Sequence, residues 1–274
     1  MRVLVAGCGW LGSEIARRLV SGGHRVIAVR RDPARALPAG VEPLFLDLSS
    51  PGAAGRLPAV DRVVACQAAG SDGPEAYRAA YVEASRAVLE AAGRTGARVV
   101  YTGSTGVFGQ RDGSDVDEET PPAPASGSAQ VLVEAEALVR GQGGVVVRLS
   151  GLYGPGRAGV LERVRSGRLA LGPGDGAWMN FCHLADAAAA VLAALERGAP
   201  GAVYHASDAE PPRRREVVTW IAGQLGIPPP QGTAPAPPGP DRRILAGRSR
   251  QALGLTLAFP SFRDGLAPLL PPRG

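Results

Sequence analysis

Along the first half of the chain, short apolar runs rich in β-branched residues alternate with longer stretches whose apolar positions recur every three or four residues. The first pattern predicts strands and the second helices. Strands are expected at Arg2–Ala6, Arg25–Arg30, Pro43–Leu46, Arg62–Cys66, Arg98–Thr102 and Val145–Leu149, and helices at Leu11–Ser21, Glu75–Ala92 and Ala129–Arg140. Strands separated by helices imply right-handed βαβ units around a parallel sheet. Pro51–Pro58 is too rich in Gly and Pro for a helix to be expected there. Past Leu149 the rhythm changes. Loops at Gly154-Pro155-Gly156 and Gly172-Pro173-Gly174 separate short elements, with helices expected at Leu184–Arg197 and from about Arg214 to Leu225. Residues 228–240, PPPQGTAPAPPGP, read as a proline-rich linker that stays extended.

The strand–loop–helix order becomes chemically specific at residues 6–12, AGCGWLG. Gly7-Cys8-Gly9-Trp10-Leu11-Gly12 fits G-x-G-x-x-G after a strand and at the opening of a helix. Gly7 permits the tight turn, Gly9 lets backbone approach a pyrophosphate, and Gly12 lets helix and strand pack closely. The pyrophosphate would rest on the unpaired N–H groups at the helix start, around Trp10 and Leu11, where the macrodipole favours negative charge. At the end of the second strand a carboxylate would hold the ribose of NAD, whereas an arginine accommodates the 2′-phosphate of NADP. The sequence there is Val29-Arg30-Arg31-Asp32-Pro33, with Arg30 in the selecting position, Arg31 following, and Asp32 late enough to cap a turn. NADP is therefore the expected cofactor, with NAD as the alternative. The architecture expected is a Rossmann-type doubly wound α/β sheet over residues 1–150. A smaller α/β substrate lobe over 151–274 is interleaved with it, and ligands bind between the two at the strand C-termini.

Composition narrows the partners. A chain of 274 residues, 45% hydrophobic and 20% charged, buries a sizeable core. No apolar run approaches the roughly 18 residues of a membrane span, and the N-terminus runs straight into a strand with no signal-peptide layout, so no membrane and a cytoplasmic location are expected. Cys8, Cys66 and Cys182 form no Cys-x-x-Cys pair, and with His24, His183 and His205 as the only histidines, no metal site is expected. The net charge is +5, but the arginines are scattered and aromatics make up only 5%, which argues against nucleic acid. Arg213-Arg214-Arg215 reads as a solvated face. All 30 basic residues are arginine, so no mechanism that needs a lysine is open to this chain.

Later motifs narrow the chemistry. Tyr101 to Gly109, YTGSTGVFG, resembles the S-S-x-x-V-Y-G stretch of the extended short-chain dehydrogenases/reductases, the NAD-dependent epimerase/dehydratase family. Val147 to Gly156, VRLSGLYGPG, is similar to that family's R-x-x-x-x-Y-G-P-G segment, and Asn180 to Asp186, NFCHLAD, to its F-x-H-V-x-D stretch. The resemblance runs over nearly the whole chain, in order. It implies that Asp47 and Leu48 contact adenine, that Ala68 and Ala69 are the small residues after the fourth strand, and that Ser104 is the serine that hydrogen-bonds substrate.

The departures matter as much. Ala6 stands where the family's loop opens with glycine, and Tyr81 stands where an asparagine is common. The family's Tyr-x-x-x-Lys, aligned through Ala135-Glu136, falls on Ser128 and Leu132, so the chain resembles an atypical branch lacking the full active site. Ser128 cannot replace a phenol, because its hydroxyl neither gives up nor takes a proton readily near neutrality. Tyr153, Tyr81 and His183 are the candidate substitutes, with Tyr153 set beside Ser104 as catalytic. His183 and Asp186 are expected to position the loop between lobes, and Glu134 and Glu136 to lie on a solvated or dimer-facing helix, a homodimer being one option. Two functions follow: an oxidoreductase or epimerase-like enzyme acting on a small polar or sugar-derived substrate, or a non-catalytic NADP-binding sensor or scaffold.

Overall fold

The computed structural model describes residues 1–173, 175–232 and 239–270. Its strands are β1 (Arg2–Ala6), β2 (Arg25–Arg30), β3 (Val41–Phe45), β4 (Arg62–Ala65), β5 (Arg98–Ser104), β6 (Ser114–Val116), β7 (Val145–Leu149), β8 (Gly151–Tyr153), β9 (Phe181–His183), β10 (Val203–Ala206) and β11 (Arg242–Ile244). Its helices are α1 (Trp10–Ser21), α2 (Ala53–Arg56), α3 (Pro74–Tyr77), α4 (Ala84–Gly93), α5 (Gly127–Gly141), α6 (Gly159–Arg165), α7 (Leu184–Arg197), α8 (Arg214–Leu225), α9 (Gly247–Ala252) and α10 (Phe262–Leu266).

A parallel sheet of seven strands, ordered β10-β7-β5-β4-β1-β2-β3, forms the centre. This is the doubly wound Rossmann-type fold. Side chains alternate across a strand, so β1 serves two cores at once. Val3 and Val5 pack with Ile15 and Leu19 of α1 and with Val191 and Leu195 of α7. Leu4 and Ala6 pack on the opposite face with Val88 and Leu89 of α4 and with Val131 and Val139 of α5. Beyond residue 150 the chain supplies β10 and α7 to these layers, and builds a third core from Val164, Val217, Ile221, Phe262 and Leu266. Two short parallel ladders, β8–β9 and β6–β11, lie beside the main sheet.

Several local expectations change. The glycine-rich stretch after Pro51 does form a helical turn, Ala53–Arg56, because Ala53 and Ala54 are buried against the second core. The helix expected over Glu75–Ala92 is interrupted by a π-helical segment, Arg78–Glu83. Residues 233–238 of the proline-rich linker and Gly174 lie outside the described residues, but the start of the linker is pinned: the Leu171 N–H donates to the Pro230 carbonyl (2.7 Å) and the Gly232 N–H to the Leu171 carbonyl (2.6 Å). Arg213 stacks on Trp178, its guanidinium carbon 3.4 Å from the ring centroid, and Arg214 pairs with the buried Asp175 at 3.3 Å, so only Arg215 of that cluster stands fully in solvent.

Glu136 corrects the surface reading of α5. Only 3% of it is exposed, and its carboxylate receives the Arg148 guanidinium in a forked pair, with the Arg148 Nη2 2.7 Å from Oε2 and its Nε 3.1 Å from Oε1. Glu134, two residues away, does face solvent and pairs with Arg78. Removing one partner of a buried pair strands the other charge, whereas an exposed pair contributes little. Glu136→Ala is therefore expected to destabilise the fold by about 3–5 kcal/mol and Glu134→Ala by less than about 1 kcal/mol; urea unfolding of both variants checks the contrast.

Candidate functional site

A cavity of about 840 Å³ opens along the C-terminal ends of β1, β2, β4, β5 and β7. The glycine loop forms its floor. Gly7 has φ +91°, and a Cβ there would collide with the backbone of Gln67 after β4. A Cβ on Gly12 would stand 2.5 Å from the Gly7 carbonyl oxygen and 3.0 Å from the Cys66 sulfur, so the helix is held directly against the strand. Gly9 differs: a Cβ there would meet nothing within 4 Å. Gly9 caps α1, and its carbonyl accepts the Ser13 N–H at 2.9 Å. Among the described residues no acceptor takes the N–H groups of Trp10, Leu11 and Gly12. A bare backbone surface beneath three free donors at a helix N-terminus fits the pyrophosphate of a dinucleotide.

At one end of the cavity, Arg30, Arg31, Asp32, Arg35, Asp47, Leu48 and Ser49 surround the space after β2 and β3. The Arg30 guanidinium donates to the carbonyls of Arg35 and Ala36, both at 3.2 Å, and Asp32 accepts the Ala34 N–H at 2.8 Å, capping the turn as expected. Arg31 makes no hydrogen bond or ion pair among the described residues. Its guanidinium reaches across to Gly70, where a Cβ would stand 3.2 Å away. Asp47 accepts both the hydroxyl (2.7 Å) and the N–H (2.9 Å) of Ser49; these bonds, aided by Arg31, hold its carboxyl below the usual range.

The other end, at β5 and β7, is lined by Ser104, Thr105, Leu132, Tyr81, Ser150, Gly151 and Leu152. Ser104 ends β5 and its oxygen accepts the Gly106 N–H at 3.0 Å. Leu132 faces this end, so the position aligned with the family's lysine does look into the cavity. The Ser150 hydroxyl is buried here with no partner among the described residues. Burial pushes the Tyr81 phenol above its ordinary range, opposed by the Ala69 backbone amide that faces it.

Not every expected residue is brought to the cavity. Gly7, Gly9, Trp10, Leu11, Gly12, Arg30, Arg31, Asp47, Leu48, Ala68 and Ser104 all line it; Ala69 lines a smaller adjoining depression with Tyr77 and Tyr81. Tyr153 does not reach it. Only 3% exposed, its hydroxyl donates to the Ser261 carbonyl at 3.3 Å and its ring packs on Phe181 and His183. Nor does His183, whose Nδ1 accepts the Ala185 N–H at 3.2 Å while its ring lies 3.7 Å from that of Phe259. Asp186, buried beside them, accepts the N–H groups of Ala258 (2.7 Å) and Phe259 (2.9 Å) and ties down the C-terminal segment. Burial, with Asp186 nearby, pushes the neighbouring Asp208 carboxyl up to about 7. Arg157, unmarked in the sequence, lines the cavity with its guanidinium over the Trp10 ring, 5.5 Å from the centroid, while the Trp10 indole N–H donates to the Pro155 carbonyl at 3.1 Å. That contact joins segments 145 residues apart and has no local signature.

The model of the NAD dependent epimerase/dehydratase family matches residues 3–207. The chain belongs to this family. A 3-diazoavenalumate denitrifying reductase from a Streptomyces species is 34% identical, covering 97% of this chain and 99% of the relative. A 2-alkyl-3-oxoalkanoate reductase from Stenotrophomonas maltophilia is 32% identical over 83% of this chain and 77% of its own. The solved structure of MoeE5 in complex with UDP-glucose and NAD superposes with a TM-score of 0.82 at 25% identity, covering 97% of this chain and 96% of the other. Membership of a family described as NAD dependent supports a nicotinamide dinucleotide as the cofactor, and the open floor at Gly9 fits one.

Gly9→Val places two methyl groups on that floor, on a Cβ that itself meets nothing within 4 Å. The expected outcome is a folded chain, with thermal unfolding within a few degrees of wild type, and dinucleotide binding lost in titration calorimetry. Normal binding by a folded Gly9→Val chain would reduce the loop to a structural turn.

Proposed function

We propose that this chain is an oxidoreductase of a small polar organic substrate, working as a reductase with NADP(H) in preference to NAD(H). The observation that carries the cofactor choice is Arg31, a guanidinium with no ion pair among the described residues, at the end of the cavity where the first mononucleotide half of such a sheet would hold adenosine. A guanidinium matches a phosphate dianion in charge and in its forked donors. Arg30 shapes the same corner through the carbonyls of Arg35 and Ala36. Gly7, Gly9 and Gly12 shape the loop, the N–H groups of Trp10, Leu11 and Gly12 receive the pyrophosphate, and Asp47 and Leu48 flank the adenosine.

When bound, the reduced dinucleotide supplies a hydride. The chain's contribution at the β5–β7 end is to orient the acceptor and exclude water. The Ser104 oxygen already accepts the Gly106 N–H, which leaves its own proton free to be donated to a substrate oxygen. Two relatives are reductases by name, which favours reduction over epimerisation, and the UDP-glucose of the related structure keeps sugar-derived compounds among the substrates to test. The second reading, a dinucleotide-binding sensor without turnover, draws on Ser128 and Leu132, which leave α5 with neither phenol nor ammonium.

Charge-assisted contacts to a phosphate contribute on the order of 1.5–3 kcal/mol, so NADPH should bind at least about tenfold more tightly than NADH. Arg31→Ala is expected to remove most of that preference while leaving NADH affinity unchanged, as read by titration calorimetry. Equal affinities in the wild type, or an unaltered preference in Arg31→Ala, would return the choice to NAD. Loss of nicotinamide absorbance with a panel of ketones, diazo compounds and nucleotide sugars separates the reductase from the sensor.

A further inference from the structure

Two of the departures of this sequence from its family pattern, Tyr81 and Leu132, lie on different helical segments of the chain yet come together in space. Tyr81 and Leu132 line the same end of the cavity, and Tyr81 packs against the apolar cluster of Val107, Phe108, Val116, Leu132 and Ile244. Tyr81 sits within the π-helical segment Arg78–Glu83. Such segments insert a residue into a helix and re-aim its side chains, and they are frequent at functional sites.

Resting on the reductase reading, we propose that the phenol absent from α5 is supplied from this segment: Tyr81, paired with Ser104, hydrogen-bonds the oxygen of a carbonyl substrate and donates the proton that accompanies hydride transfer. The Ser104 oxygen accepts the Gly106 N–H, which occupies a lone pair and leaves the O–H free to turn into the cavity. Tyr81 lines the same cavity beside Leu132, with the Ala69 backbone close enough to ease the ionisation of its phenol. Ser150 and Thr105 share this end, but their hydroxyls ionise too reluctantly to serve as acids, and the titratable groups that line the cavity besides Tyr81 are elsewhere among the described residues. Cys8 and Cys66 lie under the glycine loop, and Asp32, Asp47 and most of the arginines cluster at the adenosine end. Tyr153 and His183 are spent on packing.

As the carbonyl carbon takes the hydride, the C=O π pair moves to oxygen and that oxygen takes the Tyr81 proton. The phenolate left behind recovers a proton from water through the cavity mouth, leaving hydroxide to the solvent. Burial raises the phenol's resistance to ionisation, which keeps it protonated before the step. With Leu132 in the lysine's place there is no neighbouring ammonium to ease its loss, so the oxyanion that forms as hydride adds must be at least as basic as an ordinary alkoxide. The acceptor class this suits is a simple ketone or aldehyde.

The test reads the phenol directly. In full-length protein labelled with 3-fluorotyrosine, whose phenol ionises at lower pH, 19F spectra are followed through a pH titration with saturating NADP+ or NADPH, and Tyr81→Phe assigns the signal. A positive nicotinamide ring within about 6 Å is expected to lower the Tyr81 midpoint by about one pH unit or more relative to the reduced, neutral ring. The same midpoint in both states would overturn the proposal, whether or not a substrate is in hand. With a turned-over ketone, Tyr81→Phe is expected to lower kcat by about 10²–10⁴-fold with unchanged cofactor affinity, and wild-type kcat in that variant would also overturn it. A wild type that binds dinucleotide and shows the shifted midpoint but oxidises no NADPH fails the reductase reading alone.

Discussion

Where the chain leaves β1, it has room for a backbone and nothing more. Gly7 turns directly over Gln67, and Gly12 rests on the Gly7 carbonyl and on the Cys66 sulfur. This contact brings the start of α1 against the ends of β1 and β4 and so aims its free N–H groups into the cavity. Everything at the site is measured from that helix end. The arginine-lined corner lies on its β2 side and Ser104 on its β5 side, and the Trp10 side chain reaches over to the loop at Pro155 and Arg157. A bulkier residue at either glycine would push the helix off the strands and move all three at once.

Charge is distributed along the cavity with a clear division. Most of the guanidinium groups that line it gather at the β2–β3 end. At the other end Arg242 donates to the Thr105 carbonyl at 2.7 Å, and Glu136 and Arg148 lie behind β5 and β7 and neutralise each other. Their pairing also constrains the strand above. A Cβ on Gly103 would stand 2.7 Å from a Glu136 oxygen, so β5 reaches Ser104 only because its preceding residue has no side chain. The lining at this end is thus mostly hydroxyl and hydrocarbon, from Ser104, Thr105, Tyr81, Ser150, Leu132 and Leu152.

The C-terminal segments are held to this frame by buried polar contacts as well as by the apolar core. Asp186 at the start of α7 takes two backbone amides from Ala258 and Phe259, and Asn180 bridges β9 to β11 through the Arg242 carbonyl and the Ile244 N–H. Each closes a loop of more than sixty residues. These contacts explain why the motifs around Tyr153 and His183 resemble the family so well while standing off the cavity: the residues are spent on joining the lobe to the sheet.

Periodicity and glycine spacing were enough to read the parallel sheet, α1, α5, α7 and the glycine loop, because those depend on local rules: alternation along a strand, helical period, and the backbone freedom of Gly7. The cap formed by Asp32 was legible for the same reason. What pairs with what was not. Glu136 and Glu134 are two residues apart on one helix and look alike in sequence, yet one is sealed against Arg148 and the other stands in water. Tyr153 sits in a family motif and points away from the cavity, while Tyr81, a departure from the pattern, lines it. Burial and partnership are decided by segments distant in the chain, so only the packed structure, where desolvation and contact are summed over all of them, could separate these residues.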